Sequence, residues 1–289
     1  MRNWFCSLAS SAALSTLALA EAPKPLALGI QDNSFLVEEA YNQDPGVVQH
    51  IFTLGHSVNR LAGPDDREWA FSFTQEWPVF SQTHQFSYTV PYSWVKSGGE
   101  RSDGIGDVLL NYRFQVLSET ASRPAFAPRL SVIVPTGNEG RGFGDGSVGA
   151  QINLPVSKVV SERWTVHANA GMTWLPGVQN RDLQHYNLGA SAIYAVTQNF
   201  NLMLEGVAYW DESIAENGRS QRRLSAIISP GARYAFNFAN DAQVVVGIGV
   251  PIGLTREAPD FGVIFYFSVE HFFTRPTEQR RELPLTSGK

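Results

Sequence analysis

The chain has almost no cysteine, no long apolar run beyond its opening segment and no surplus of positive charge, and each absence removes a class of protein. Its one cysteine, Cys6, lies in the opening segment and lacks the Leu-x-x-Cys setting of lipoprotein processing. The rest of the chain therefore has no thiol, no disulfide and no cysteine metal site. After residue 20 no stretch reaches the eighteen apolar residues that would mark a helical membrane span. The formal net charge is −5, and loss of Arg2 with a leader would make the remainder more negative still, so nucleic acid is not an expected partner.

The opening twenty residues read as an export signal. Arg2 supplies the positive start, an apolar stretch rich in small residues runs from Trp4 to Leu19, and Ala18-Leu19-Ala20 gives the small-x-small pattern that signal peptidase accepts. Cleavage is expected after Ala20. The alternative, a retained anchor, is disfavoured because about 15 apolar residues fall short of the about 20 a spanning helix needs.

What is present is alternation. Trp164, Val166, Ala168, Ala170, Met172 and Trp174 form one face of a strand, against Thr165, His167, Asn169, Gly171 and Thr173 on the other. The split recurs with Val108, Leu110, Tyr112, Phe114 and Val116, with Phe86, Tyr88, Val90, Tyr92 and Trp94, and with Val148, Ala150, Ile152, Leu154 and Val156. A membrane barrel hides its lipid-facing surface in this way, since only every second residue meets lipid.

The same period predicts strands near 47–56, 68–80, 84–95, 105–117, 125–135, 147–156, 163–174, 185–196, 200–211, 223–236, 242–254 and 261–273. That is the even number expected of a single-chain bacterial barrel. Connections after odd strands tend to be longer and rich in Gly and charge, as in Thr136 to Gly146 and Glu212 to Arg222. Those after even strands are mostly short, as in Ser81-Gln82-Thr83, with Ser118 to Pro124 the exception. Long loops outside and short periplasmic turns put both termini in the periplasm.

Trp69, Trp77, Trp94, Trp164, Trp174 and Trp210 all fall near strand ends. Trp164 and Trp174 lie ten residues apart on one face, roughly 23 Å of height for a strand tilted near 45°. That matches an apolar band of about 25 Å between two aromatic girdles, and it argues against a soluble β-sandwich. The expected fold is all-β, a transmembrane antiparallel up-and-down β-barrel of about twelve strands, with a short N-terminal helix. Residues 1–20 are the signal peptide, 21–46 a periplasmic or lumenal segment, 47–273 the outer-membrane barrel and 274–289 a flexible periplasmic tail.

The helix is expected over 34–43, capped by Asn33 or Ser34 and stopped by Asp44-Pro45-Gly46, with Glu38 and Glu39 on a solvated edge. Charges predicted to point inward are Glu76, Arg113, Arg129, Glu205, Arg233 and Glu270. They imply either a wetted channel or a salt-bridged filling, and Arg113 and Arg129, on neighbouring strands, are the leading lumen feature.

Other chemistry is poorly supported. None of the histidines stands two residues before a serine on a strand, and no His pair has helical metal spacing. The loop Gly137 to Gly146 lacks the Lys-Ser/Thr ending of a phosphate loop and the acidic spacing of a calcium loop, and reads as a mobile extracellular loop. No enzyme, cofactor or metal is expected.

The stretch Asp32-Asn-Ser-Phe-Leu-Val-Glu-Glu-Ala-Tyr-Asn-Gln43, running into Gly46-Val-Val-Gln-His-Ile51, resembles a family of outer-membrane proteins, the phenol-degradation meta-pathway transporters. Gly104-Ile-Gly-Asp-Val108 and Pro128-Arg-Leu-Ser-Val-Ile-Val-Pro-Thr-Gly137 carry the same resemblance. It implies an outer-membrane transporter or channel for passive passage of small solutes, aromatic or hydrophobic ones included, and it carries over no ligand residue. Expected partners are outer-membrane lipid and lipopolysaccharide, the barrel assembly machinery and the solutes themselves. The rival is a structural or adhesive surface barrel without transport.

N-terminal sequencing of the membrane-extracted protein should read from Glu21. A chain that still begins at Met1 would instead favour the retained anchor.

Overall fold

The computed structural model describes residues 30, 34–59, 66–215 and 217–273, so the expected signal peptide and C-terminal tail lie outside the described residues. Among them, strands β1 (Val47–Val58), β2 (Arg67–Val79), β3 (Ser81–Ser97), β4 (Glu100–Ile105), β5 (Val108–Phe114), β6 (Ala125–Phe126), β7 (Arg129–Val134) and β8 (Gly149–Asn153) form the first half. β9 (Val156–Val159), β10 (Trp164–Val178), β11 (Arg181–Ala195), β12 (Phe200–Ile214), β13 (Ser220–Asn237), β14 (Gln243–Gly249), β15 (Ile252–Gly253) and β16 (Phe261–Phe272) form the second.

Twelve of these make a closed antiparallel ring, β11-β12-β13-β14-β16-β1-β2-β3-β5-β7-β8-β10, in which β10 pairs back onto β11. The remaining four, β4, β6, β9 and β15, extend β5, β7, β8 and β14 across short interruptions. Every strand foreseen from the alternation is present. Three interruptions hold a proline, Pro128, Pro155 and Pro251, which has no N–H to give to the ladder. The wall continues through them by carbonyls, since Phe114 N–H donates to Pro128 O at 3.0 Å and Gly262 N–H to Pro251 O at 2.8 Å.

Two connections after odd ring strands are tighter than the loop pattern suggests. β3 and β4 are joined by Gly98-Gly99, and β10 and β11 by Gln179-Asn180, all four at positive φ. These are two-residue turns whose backbone twist matches the strands they join, so the strands themselves make the height on that side. The loop expected to be mobile is also pinned. Asp107 accepts the N–H groups of Gly137 at 2.9 Å and Asp145 at 3.0 Å, and Asn138 caps a 3-10 turn over Glu139–Arg141.

The ring is inside-out relative to a soluble protein. Leu130 and Leu188 are 56% and 55% exposed on the outer face, whereas Arg113 and Glu205 are 3% and 1% exposed on the inner one. Trp69, Trp94, Trp164 and Trp174 all show their rings outward. Trp164 lies against Tyr194 at 5.0 Å at one rim, and Trp69 and Trp94 are register partners at the other. An outward apolar belt with aromatic rims around a polar interior is what a bilayer selects, because lipid offers nothing to pair an open sheet edge and closure removes every edge.

Phe267 lies midway along β16 on the outer face. Phe267→Arg should destabilise the barrel by about 2–4 kcal/mol, measured by denaturant unfolding in lipid vesicles; no loss would mean that this face does not meet hydrocarbon.

Candidate functional site

Residues 34–46 are threaded through the interior of the ring. They meet inward side chains from strands all around it: Ser191 on β11, Glu205 on β12, Tyr266 on β16, Gln49 on β1, Gln85 on β3, Arg113 on β5 and Ser157 on β9. Val37 and Ala40 are fully buried there.

The helix expected over 34–43 is absent; the backbone bends at Phe35 to Val37 and is otherwise irregular. An isolated helix of two or three turns is marginal in water, and here the wall offers its N–H groups better acceptors than their own carbonyls. The Glu205 carboxylate takes three of them, from Phe35 at 3.2 Å, Leu36 at 2.8 Å and Val37 at 3.1 Å. Ser157 Oγ accepts from Ala40 at 2.7 Å, Gln115 Oε1 from Asn42 at 3.2 Å and Gln85 Oε1 from Gln43 at 2.7 Å.

The solvated edge expected for Glu38 and Glu39 is also corrected, because both enter the interior. Glu39 is buried and its carbonyl accepts from Arg113 Nη1 at 2.9 Å. The Glu38 carboxylate is gripped by Arg129 Nε at 2.9 and 3.0 Å, Asn153 Nδ2 at 2.6 Å and Arg113 Nη1 at 3.3 Å. Burial alone would raise this carboxyl, but Arg129, Arg113 and the hydrogen bonds from Asn153 and Arg129 outweigh it and hold the group below its ordinary 4.5.

Arg113 is the hub. Besides Glu38 and Glu39 it donates to Asn42 Oδ1 at 3.0 Å and Tyr41 O at 3.0 Å, and it lies 3.5 Å from Glu76. Glu76 in turn accepts from Gln85 at 2.8 Å. Of the inward charges named from the sequence, Glu76, Arg113, Arg129 and Glu205 thus meet one another or the N-terminal segment. Arg233 is buried on β13, close enough to act electrostatically on Glu205, and Glu270 is half-buried on β16.

Two features escaped the sequence. Gly231, Gly247 and Gly249 hollow a seat for the Phe35 ring, since a Cβ at any of them would lie within 3.0 Å of it. Glycine at inward positions of otherwise bulky strands was the available signal. Ser157 Oγ and His167 Nδ1 are 2.7 Å apart on β9 and β10, a pairing across strands that no spacing along the chain reveals. Both are buried beneath Ala40 and Tyr41, where they support the segment.

A family model described as "Putative MetA-pathway of phenol degradation" matches residues 65–269. Among solved structures, an outer membrane channel from Pseudomonas putida F1 is similar with a TM-score of 0.59 and 14% identity, over 80% of this chain and 97% of that one. That likeness is one of fold. The NanC porin has a TM-score of 0.48 and 8% identity over 77% of this chain and 98% of its own. For the KdgM porin the values are 0.43 and 10%, over 79% and 99%. No curated protein matches in sequence.

Glu205→Ala leaves three N–H groups without their acceptor, of which the buried one of Val37 alone costs about 1–3 kcal/mol. Limited proteolysis should then cut within 34–43 while the barrel keeps its heat-dependent gel shift; protection equal to the unchanged chain would contradict the geometry. The Glu38 contacts give the pH dependence. A depressed carboxyl contributes fully above its ordinary 4.5 and is lost as pH falls through the lower folded value. The segment should stay protected at neutral pH and become cleavable by an acid protease only below the ordinary carboxylate range.

Proposed function

The chain belongs to the phenol-degradation family whose model spans residues 65–269, and from that premise we propose an outer-membrane channel for passive passage of small solutes, aromatic or hydrophobic ones among them. At rest the channel is restricted by its own N-terminal segment. The observation that carries this reading is the segment itself. A wall that surrounds ten residues of peptide with polar side chains encloses a lumen wide enough to conduct once they leave, and a merely structural barrel has no need of such an interior.

The arrangement supports binding and passage rather than catalysis. The buried Ser157–His167 pair serves the segment's backbone.

The first strand begins and the last strand ends at one rim, where Phe273 N–H donates to Gly46 O at 2.9 Å and Val47 pairs with Phe272. The β2–β3 connection at that rim is the single residue Phe80, and short turns of this kind support a periplasmic assignment for both termini. The outward apolar belt fits membrane lipid, with lipopolysaccharide beyond it and the barrel assembly machinery delivering the chain.

Deleting 26–43 should raise single-channel conductance in planar bilayers while the barrel still assembles. A knockout should slow uptake of at least some compounds in a panel of aromatic and hydrophobic carbon sources. Unchanged uptake across the panel, with no conductance from either protein, would favour the structural or adhesive barrel.

A further inference from the structure

The grip on Glu38 is built entirely by the wall. Arg113 comes from β5, Arg129 from β7 and Asn153 from β8; the segment supplies the carboxylate and, at Glu39 O, Tyr41 O and Asn42 Oδ1, further acceptors for Arg113. Arg129 is positioned independently of Glu38, by Asn111 Oδ1 at 3.0 Å and by Ser131 Oγ. Asn111 donates in turn to Ser87 at 3.1 Å, so the guanidinium stays aimed when Glu38 is withdrawn.

The charge balance sets the ligand. Glu76, 3.5 Å from Arg113, compensates one of the two guanidiniums, and Glu38 compensates the other. Without Glu38 the cradle holds one uncompensated positive charge and converging N–H donors on the inner wall, and hydrogen bonds between such donors and an anion are the strong, charge-assisted kind. A monoanion with two acceptor oxygens restores neutrality. A dianion would leave a buried surplus of negative charge.

We infer that Arg113, Arg129 and Asn153 form a binding site for the carboxylate of a small organic acid, and that Glu38 is its built-in occupant, displaced by such solutes. The inference deepens the channel reading by naming a solute class, and the binding step can be tested without transport. In the unchanged chain a free carboxylate competes with a tethered one, whose effective concentration is of the order of millimolar or above. Removing the tethered group unmasks the site.

Glu38→Ala deletes the equivalent of one acetate beyond Cβ, so acetate is the probe. Calorimetric titration of the detergent-purified full chain should show acetate binding to Glu38→Ala at least about tenfold more tightly than to the unchanged protein. Neutral acetamide should not bind, and adding Arg129→Gln should abolish the acetate signal. Where Glu38→Ala does not assemble, the unchanged protein serves: acetate, and not acetamide at equal concentration, should make residues 34–43 cleavable. The inference is overturned by an assembled Glu38→Ala barrel that ignores acetate, by binding that survives Arg129→Gln, or, in the unchanged protein, by equal cleavage with acetate and acetamide. Failure of the channel reading looks different, as a 26–43 deletion that does not conduct while acetate binding persists.

Discussion

Two arginines placed opposite each other on neighbouring strands govern the interior of this barrel. Arg113 and Arg129 are register partners on β5 and β7, and like charges facing across a ladder repel. In water the repulsion would be mild; inside the ring it must be answered by anions close at hand. Glu76 answers from β2 and Glu38 from the N-terminal segment. The segment's position follows from this. Once Glu38 is fixed, its neighbours meet the wall groups that satisfy them, Glu205 on one side and Ser157, Gln115 and Gln85 on the other.

The wall and the segment solve opposite halves of one solvation problem. Closure leaves no strand edge to lipid, and alternation then turns every second side chain inward, polar ones included. A polar interior narrowed by long side chains must be hydrated or filled with matching groups. The segment fills it with main-chain donors and acceptors, which a helix would have spent on itself. Where the filling is apolar it is equally specific. Phe35 needs three glycines on β13 and β14 to make room for it, and Ala40 packs against Ala125 and Ala127 beside the interruption at Pro128.

The wall was legible in the sequence because its signal is local. Alternation in Trp164 to Trp174, or in Phe261 to Phe267, depends on lipid on one side and lumen on the other, and it survives without knowledge of neighbours. The inward charges were legible for the same reason. What could not be read was pairing at a distance. Ser34 to Gln43 carries the local marks of a helix, and those marks lost to Glu205, which lies 168 to 170 positions further along the chain. Ser157 and His167 are ten positions apart and meet only because β9 and β10 are adjacent. Glu38 and Glu39 looked solvated because they sat on the edge of an expected helix; the partners of the Glu38 carboxylate arrive through the register of β5 with β7.

The link between filling and wall is three residues long, Asp44 to Gly46, with Gly46 at φ +81° and Val47 N–H closing onto Asp44 O at 3.0 Å. An undocked segment of ten residues can reach at most about 35 Å from that pivot, so it stays tethered close to its own barrel. Contact between the ends of a chain this short recurs in about 10–100 ns, far faster than most conformational gates. The time for the segment to find its way back is therefore no obstacle to reclosure. Any longer opening has to be sustained by something that holds the vacated arginines, and its duration is the residence time of that occupant.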